Sequence, residues 1–346
     1  MQRQPEIPGR GDSKRCWAAT DGTPMRYATW CASMSSSISL MTMPCWWSMK
    51  PASSNRASHH AALHGSTRGQ QGRYELQIGV FAAYVSRHGH AFIDRALYLP
   101  KSWTDDPARL KATYVPNDVV FATKPQLAAR MIDRAIATSV PFRWVAGDTV
   151  YGVGDIERDL RQAGKGYVLG VEASRVFRSW GKPRAIAGTA SEIAKALGAS
   201  EWRRLSAGQG TKGPRLHDWC YLELADLEAG VFNEKNHGLW TRGLLIRRNI
   251  ADGDLAYFTT WCPAGTPIDT LVSVEGRRWA IEDSFETAKN EFGLDHNETR
   301  SWHGWHRHVS LVMLAFAMMA AIQHQANKPT PKKTISSVGR SRRSAA

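Results

Sequence analysis

The chain has 346 residues and carries 45 Lys and Arg against 31 Asp and Glu, a net charge of +14. That length allows one large or two modest domains, and the charge makes nucleic acid the first partner to test. The five cysteines, Cys16, Cys31, Cys45, Cys220 and Cys262, form no CxxC pair, which excludes a disulfide framework and a cysteine zinc site and suits a reducing cytoplasm.

Residues 1–73 differ from the rest. They contain no Val or Phe, two Leu (Leu40, Leu63) and two Ile (Ile7, Ile38), yet they hold six of the ten Met and four of the 14 Trp. So few aliphatic side chains cannot offset the entropy of ordering, so disorder is expected here and no central strand. A natural polar tail is the plain explanation, but Met-Thr-Met-Pro-Cys-Trp-Trp-Ser-Met at 41–49 is an odd composition for one. The genetic code suggests another. If the third base of each codon is joined to the first two of the next, Met41-Thr42 yields Asp, Met43-Pro44 Ala, Trp46-Trp47 Val and Met49-Lys50 Glu. Read this way, residues 41–57 can encode DDAVLVVDETGFLKQGK, a buried strand running into acidic residues. Residues 25–39 can encode AVRDVVREYVVEHL, an amphipathic helix, and 62–73 can encode GVARQYTGSAGK. Residues 1–73 are therefore read as translated off frame, with the frame regained between Arg73 and Gln77.

From Tyr74 the pattern alternates strand and helix. Ile78–Val85 and Ala91–Leu99 read as strands around the turn Ser86-Arg87-His88-Gly89, and Gln126–Thr138 as a helix with Leu127, Met131, Ile132 and Ile136 on one side. Phe142–Ala146 reads as a strand, Ile156–Gly164 as a short helix and Tyr167–Val171 as a further strand, an α/β layer architecture. Asp105-Asp106 falls in a turn and reads as a helix cap.

Asp148 follows the Phe142–Ala146 strand directly, in Trp-Val-Ala-Gly-Asp-Thr-Val-Tyr-Gly at 144–152. A carboxylate there is held at the sheet edge and open to a ligand, although most such aspartates cap a following helix. The segment Arg277–Lys289, RRWAIEDSFETAK, spaces Arg278, Glu282 and Lys289 so that all three fall within about 40° on one helix face. By itself this spacing describes a solvated, ion-paired surface as well as a site. His303, His306 and His308, with Trp302 and Trp305, meet no fixed metal-ligand spacing and read as structural or DNA-facing. Val309–Ile322 is a 14-residue apolar run, short of the roughly 20 a membrane span needs, and reads as a core helix, with no membrane partner. No secretory signal is expected at the N-terminus. The segment 326–346, with Lys328, Lys332, Lys333, Arg340, Arg342 and Arg343 among Pro and Ser, reads as a disordered tail suited to DNA phosphate.

Arg, three residues, Glu, six residues, Lys resembles the signature of the insertion-sequence transposases of the IS4 and IS701 groups. Leu97–Asp106 (LYLPKSWTDD), Phe121–Ala128 (FATKPQLA), the segment around Asp148 and Leu294–His308 (LDHNETRSWHGWHRH) are similar to the IS701 group in particular. The resemblance covers residues 74–325. It implies an RNase H-like core of mixed sheet flanked by helices, with an inserted subdomain at about 174–266. It also implies a DDE site for Mg²⁺-dependent cleavage and strand transfer at transposon ends, in a bacterial cytoplasm with the nucleoid. Asp148 matches the second acid and Glu282 the third, both metal-binding and catalytic. Arg278 and Lys289 match the DNA-binding cations. The partners implied are transposon-end and target DNA and a possible second copy on DNA.

Two departures stand out. The signature tyrosine is replaced by Glu275. The first acid is absent, because in the shifted frame it falls across the codons of Ser48 and Met49, neither of which supplies a carboxylate. Two Mg²⁺ ions, with Mn²⁺ as a substitute, need oxygen ligands from three acids to clamp the attacking and leaving oxygens. This chain is thus expected to be inactive in strand transfer, and a non-catalytic DNA-binding remnant is the alternative to an enzyme. The charge divides accordingly: residues 1–73 hold nine cations and three acids, and the segment from His324 onward holds six cations and no acid. The remaining span is nearly neutral.

Overall fold

The computed structural model describes residues 37–45, 77–179, 186–210, 213–224 and 239–327. Among these, eleven strands and eight helices of four or more residues build one nine-stranded sheet with helices on both faces and a two-stranded sheet beside it.

The first half of the sheet comes from β1 (Ser37–Cys45), β2 (Gln77–Ser86), β3 (Gly89–Tyr98), β4 (Trp144–Gly147) and β5 (Gly166–Val171). Its spatial order is β3-β2-β1-β4-β5. β2 is antiparallel to β1 and β3, whereas β1, β4 and β5 run parallel. This is the mixed sheet expected of an RNase H-like core. β2 shows why the apolar run at 78–85 is unbroken. Val80, Ala82 and Tyr84 pack against α3 (Lys124–Ala137) and α4 (Gly154–Gln162), while Phe81 and Ala83 pack against α7 (Trp279–Phe292) and α8 (Trp302–Ala326). A strand covered on both faces has no polar side to show.

The helices begin where their sequences allow. At α3, Thr123 accepts from the Gln126 N–H while the Gln126 side chain accepts from the Thr123 N–H, a capping box with Pro125 in the first turn. Asp106 caps α2 (Pro107–Ala112), following α1 (Lys101–Thr104), by accepting from the Arg109 N–H at 3.1 Å. Gly89 closes the β2–β3 turn at φ +137°, a conformation that glycine adopts without strain.

The structure refines three sequence expectations. The composition of 1–73 predicts no central strand, but Ser37–Cys45 lies between β2 and β4, with Leu40 paired to Gly147 and Met41 to Phe81. The reason is that flanking strands offer rows of backbone N–H and C=O groups that any extended chain satisfies, whatever its side chains. The rest of 1–73 lies outside the described residues, as does the tail beyond 327. Second, much of 174–266 continues the main sheet. β11 (Leu255–Pro263) pairs antiparallel with β5, then β10 (Trp240–Arg248), β9 (Gly213–Leu224) and β8 (Arg203–Gly210) follow outward. A small cap of β6 (Val176–Ser179), β7 (Ile186–Thr189) and α5 (Ala190–Lys195) covers one face of that extension through Phe177, Ile186 and Ile193, and α6 (Ile268–Gly276) covers the other. Third, the apolar run 309–322 is a core element on one side only. Val309, Val312, Met313 and Phe316 face inward, while Leu311, Leu314, Met318, Met319 and Ile322 are exposed.

A buried ion network fastens the extension to the core. Glu157 on α4 is 2% exposed and receives Arg175 at 2.9 Å, Arg161 at 3.2 Å and Arg242 of β10 at 3.3 Å. Arg161 also donates to the Tyr167 hydroxyl at 2.9 Å and lies over the Trp261 ring.

Candidate active site

Asp148 leaves the sheet at the end of β4. Its Oδ1 accepts from the Val150 N–H at 3.0 Å and its carbonyl from the Tyr151 N–H at 3.1 Å. The aspartate therefore closes a turn. The following helix, α4, has Val153 at its N-cap with no side-chain bond, so helix capping does not account for Asp148. Glycines bring the neighbouring backbone close: a Cβ on Gly170 would lie 2.8 Å from Thr149 N and 2.9 Å from the Asp148 carbonyl carbon. Burial raises the Asp148 carboxyl above its ordinary value, opposed by the Val150 hydrogen bond and by the charges of Arg278 and Lys124.

Glu282 stands in the first turn of α7. Arg278, at the N-cap of that helix, donates from Nη1 to Glu282 Oε1 at 2.9 Å, and its Nε lies 3.9 Å from Glu275 Oε1. The charge of Arg278 also acts on Asp148, opposing the rise that burial causes. Beside it, β1 pairs Leu40 with Gly147, the residue before Asp148, and Met41 with Phe81, against whose ring Phe285 packs edge-on at 5.1 Å. Glu282 lies about one turn before Phe285 on the same helix. Lys289 is half-buried about two turns beyond Glu282 and has no ion pair among the described residues. Arg278, Glu282 and Lys289 thus lie along one helix, and the charge of Arg278 reaches Asp148 at the end of β4.

Glu275, the departure from the signature, is 1% exposed and accepts from Arg247 Nη1 at 2.9 Å. It anchors the α6–α7 junction from beneath, where Gly276 lets the chain press on β8: a Cβ there would collide with the Ala207 carbonyl oxygen. Arg215 clamps the same junction, donating to Ala207 O at 2.8 Å and Gly276 O at 2.9 Å while covering the Trp279 ring. Nothing in the sequence marks Glu275 as an anchor except its place beside Gly-Arg-Arg.

The donor set can be tested against two divalent ions. Asp148 and Glu282 supply hard oxygens, but Glu282 is engaged by Arg278, and Ser37–Cys45 brings no carboxylate abreast of Asp148. Among the described residues no group of three or more His, Cys, Asp or Glu is placed to hold a metal ion. The set does not fit a two-metal centre. The histidines of 303–308 have separate surroundings. Trp305 is core at 1% exposure, His308 contacts the Gly293 carbonyl at 3.0 Å, and the His306 ring lies tilted against Trp302 at 4.3 Å. Burial, with the charges of Arg95 and His303, pushes His306 down to about 4, so it is neutral at physiological pH.

Residues 54–214 match the family model of DDE superfamily endonucleases, which supports a DDE transposase-type family and a nuclease- or transposase-like function. The matched span includes Asp148, ends before Arg278 and begins inside the stretch read as off frame. No curated protein matches the chain. Among solved structures it is similar to the NurA nuclease from Sulfolobus solfataricus, with 7% identity over 86% of this chain and 87% of that one and a TM-score of 0.32.

Proposed function

We propose that this chain derives from an insertion-sequence transposase of the IS701 group, damaged in frame over residues 1–73, and that it binds DNA without cutting or joining it. The DDE match supports the nuclease-like ancestry and, with it, a divalent-metal chemistry for the family. One observation carries the inactivity: the strand beside Asp148 is Ser-Ile-Ser-Leu-Met-Thr-Met-Pro-Cys, without an acid. Asp148 and Glu282 are the residues that would touch a metal ion, but two acids leave the charge of a reacting phosphate without its pair of cations. DNA binding falls to Arg278 and Lys289, which can take backbone phosphates along one helix face. In a bacterial cytoplasm such a protein would sit with the nucleoid. An active Mg²⁺-dependent transposase is the second reading, favoured by the survival of Asp148, Glu282, Arg278 and Lys289 together.

Purified chain incubated with terminal-repeat duplexes at graded salt, with Mg²⁺ or Mn²⁺, decides between them. A salt-dependent mobility shift without nicked or joined product is expected. Metal-dependent cleavage would overturn the inactivity, and absence of salt-dependent binding would overturn the DNA reading. The nucleotide sequence upstream of the Gln77 codon tests the frame: without compensating indels relative to intact copies, the frame reading fails.

A further inference from the structure

A pocket of about 310 Å³ opens at the β3 edge of the sheet, between β3, the start of α8 and the loop that leads into α3. β3 is three strands from β4, about 14 Å at the usual spacing, so the pocket stands apart from Asp148. Its lining sets three guanidinium groups, Arg95, Arg130 and Arg134, against one carboxylate, Asp118, with Leu97 and Trp302 as apolar walls. Arg134 is engaged by Asp94 at 2.8 Å, whereas Arg95 and Arg130 have no ion pair among the described residues. Arg95 donates from Nη2 to Ser310 Oγ at 2.7 Å, but its Nε is buried without a partner among the described residues, and so is Nε2 of His306, which also lines the pocket. Native proteins leave few buried polar atoms unpaired, and two in one pocket beside unneutralised cations point to an anionic ligand.

We infer that this pocket binds a free nucleoside monophosphate, with Arg95 and Arg130 on the phosphate, Trp302 against the base and Asp118 accepting from a ribose hydroxyl. Guanidinium groups present paired donors that match phosphate oxygens. The half-buried Trp302 ring offers the kind of surface on which any base can stack. Asp118 is exposed and has no ion pair among the described residues, so its oxygens are open to a hydroxyl donor. The combination selects against simpler ligands. A bare inorganic anion meets Asp118 as a like charge and leaves Trp302 and Leu97 uncovered. A purely apolar ligand leaves Arg95 and Arg130 unpaired. Small-ligand pockets begin at about 300 Å³, so the space suits one nucleotide and not a stretch of duplex. None of Asp148, Arg278, Glu282 and Lys289 borders it, so nucleotide binding stands or falls apart from the DNA reading.

Full-length chain is titrated calorimetrically with AMP, adenosine and inorganic phosphate in the absence of divalent metal. One AMP per chain is expected, bound at least about tenfold more tightly than either adenosine or phosphate. No binding of AMP, or phosphate alone binding as tightly as AMP, overturns the inference. Arg130→Glu, at an exposed position, should keep the melting temperature of the parent and weaken AMP at least about tenfold. Asp118→Asn should weaken AMP yet tighten inorganic phosphate, because it removes both the acceptor for ribose and the like charge. AMP affinity unchanged in a folded Arg130→Glu chain, or unchanged in Asp118→Asn, counts against the site. Lys289→Ala should bind AMP as the parent does, which separates this pocket from the α7 helix. Displacement of AMP by a terminal-repeat duplex would put the pocket on the path of DNA and overturn a free nucleotide as its ligand.

Discussion

Replacing Glu157 by Ala should destabilise the fold more than any single surface change. Its carboxylate is 2% exposed and is approached by three guanidinium groups at 2.9, 3.2 and 3.3 Å. Removing one partner of a buried ion pair costs about 3–5 kcal/mol, because the opposite charge stays behind in low dielectric. Here three cations would remain. Arg175 and Arg242 keep 33 and 23% of their side chains in water and recover part of that cost, but Arg161 is 5% exposed and does not. A loss of about 4 kcal/mol follows, and at about 2–4 °C per kcal/mol for a domain of this size the melting temperature should fall by about 8–16 °C. Glu157→Gln keeps an acceptor for Arg161 and should lose less. Calorimetry and urea titration read both variants. A Glu157→Ala protein melting within about 2 °C of the parent would refute the idea that this network fastens β10 to α4.

Arg278→Ala and Lys289→Ala should each weaken DNA binding irrespective of sequence and flatten the log-affinity against log-salt slope by about one, measured by fluorescence anisotropy. Asp148→Asn should raise stability at pH 7. Burial holds this carboxyl above its ordinary value, so the native chain loses stability as pH rises through that window, whereas the amide does not titrate. Urea titrations should show the variant ahead at pH 7 and level with the parent near pH 3, and the reverse order would count against it. Gly276→Ala should cost about 1–3 kcal/mol or more by forcing α6 from the Ala207 carbonyl, seen as a lowered urea midpoint. Met41→Asp introduces a carboxylate one residue beyond the Leu40–Gly147 pair, next to the end of β4. Mg²⁺ should then raise the melting temperature of the variant and leave that of the parent unchanged.

The sequence makes β2, β3, α3, β4 and β5 readable because each buries a local pattern: a two-sided apolar run, a capped amphipathic helix, short apolar strands before turns. It does not announce β8, where one residue in eight is buried and arginines and glycines dominate. Nor does local pattern reveal that β5 pairs with β11, more than eighty residues later, a long-range choice made by the whole sheet edge. At the site, the spacing of Asp148, Arg278, Glu282 and Lys289 describes an ion-paired surface as well as a site, and it is the resemblance to the transposase signature that singles them out. Glu275 reads as a lost tyrosine, because burial and a partner 28 residues away, Arg247, leave no mark in the neighbouring sequence. The outer face of α8 misleads for the opposite reason: an apolar run reads as core whether or not anything covers it.

β1 shows why fold and chemistry part company in this chain. Ser37–Cys45 fills the slot between β2 and β4 through backbone hydrogen bonds, which accept any extended segment. The proposed chemistry would ask for one carboxylate beside Asp148, and there β1 carries Leu40, paired with Gly147, followed by Met41. In the shifted reading the acid falls across Ser48 and Met49, beyond the end of the strand at Cys45. Bringing it beside Asp148 means drawing the chain about seven residues along the slot. Register in a buried strand is fixed by side chains that suit each face, and the string Val-Leu-Val-Val before the acid supplies them in the shifted reading. On the proposed frame damage, the side chains that set register would be lost while the backbone stayed able to pair, so the sheet would form around a strand that lacks the first acid.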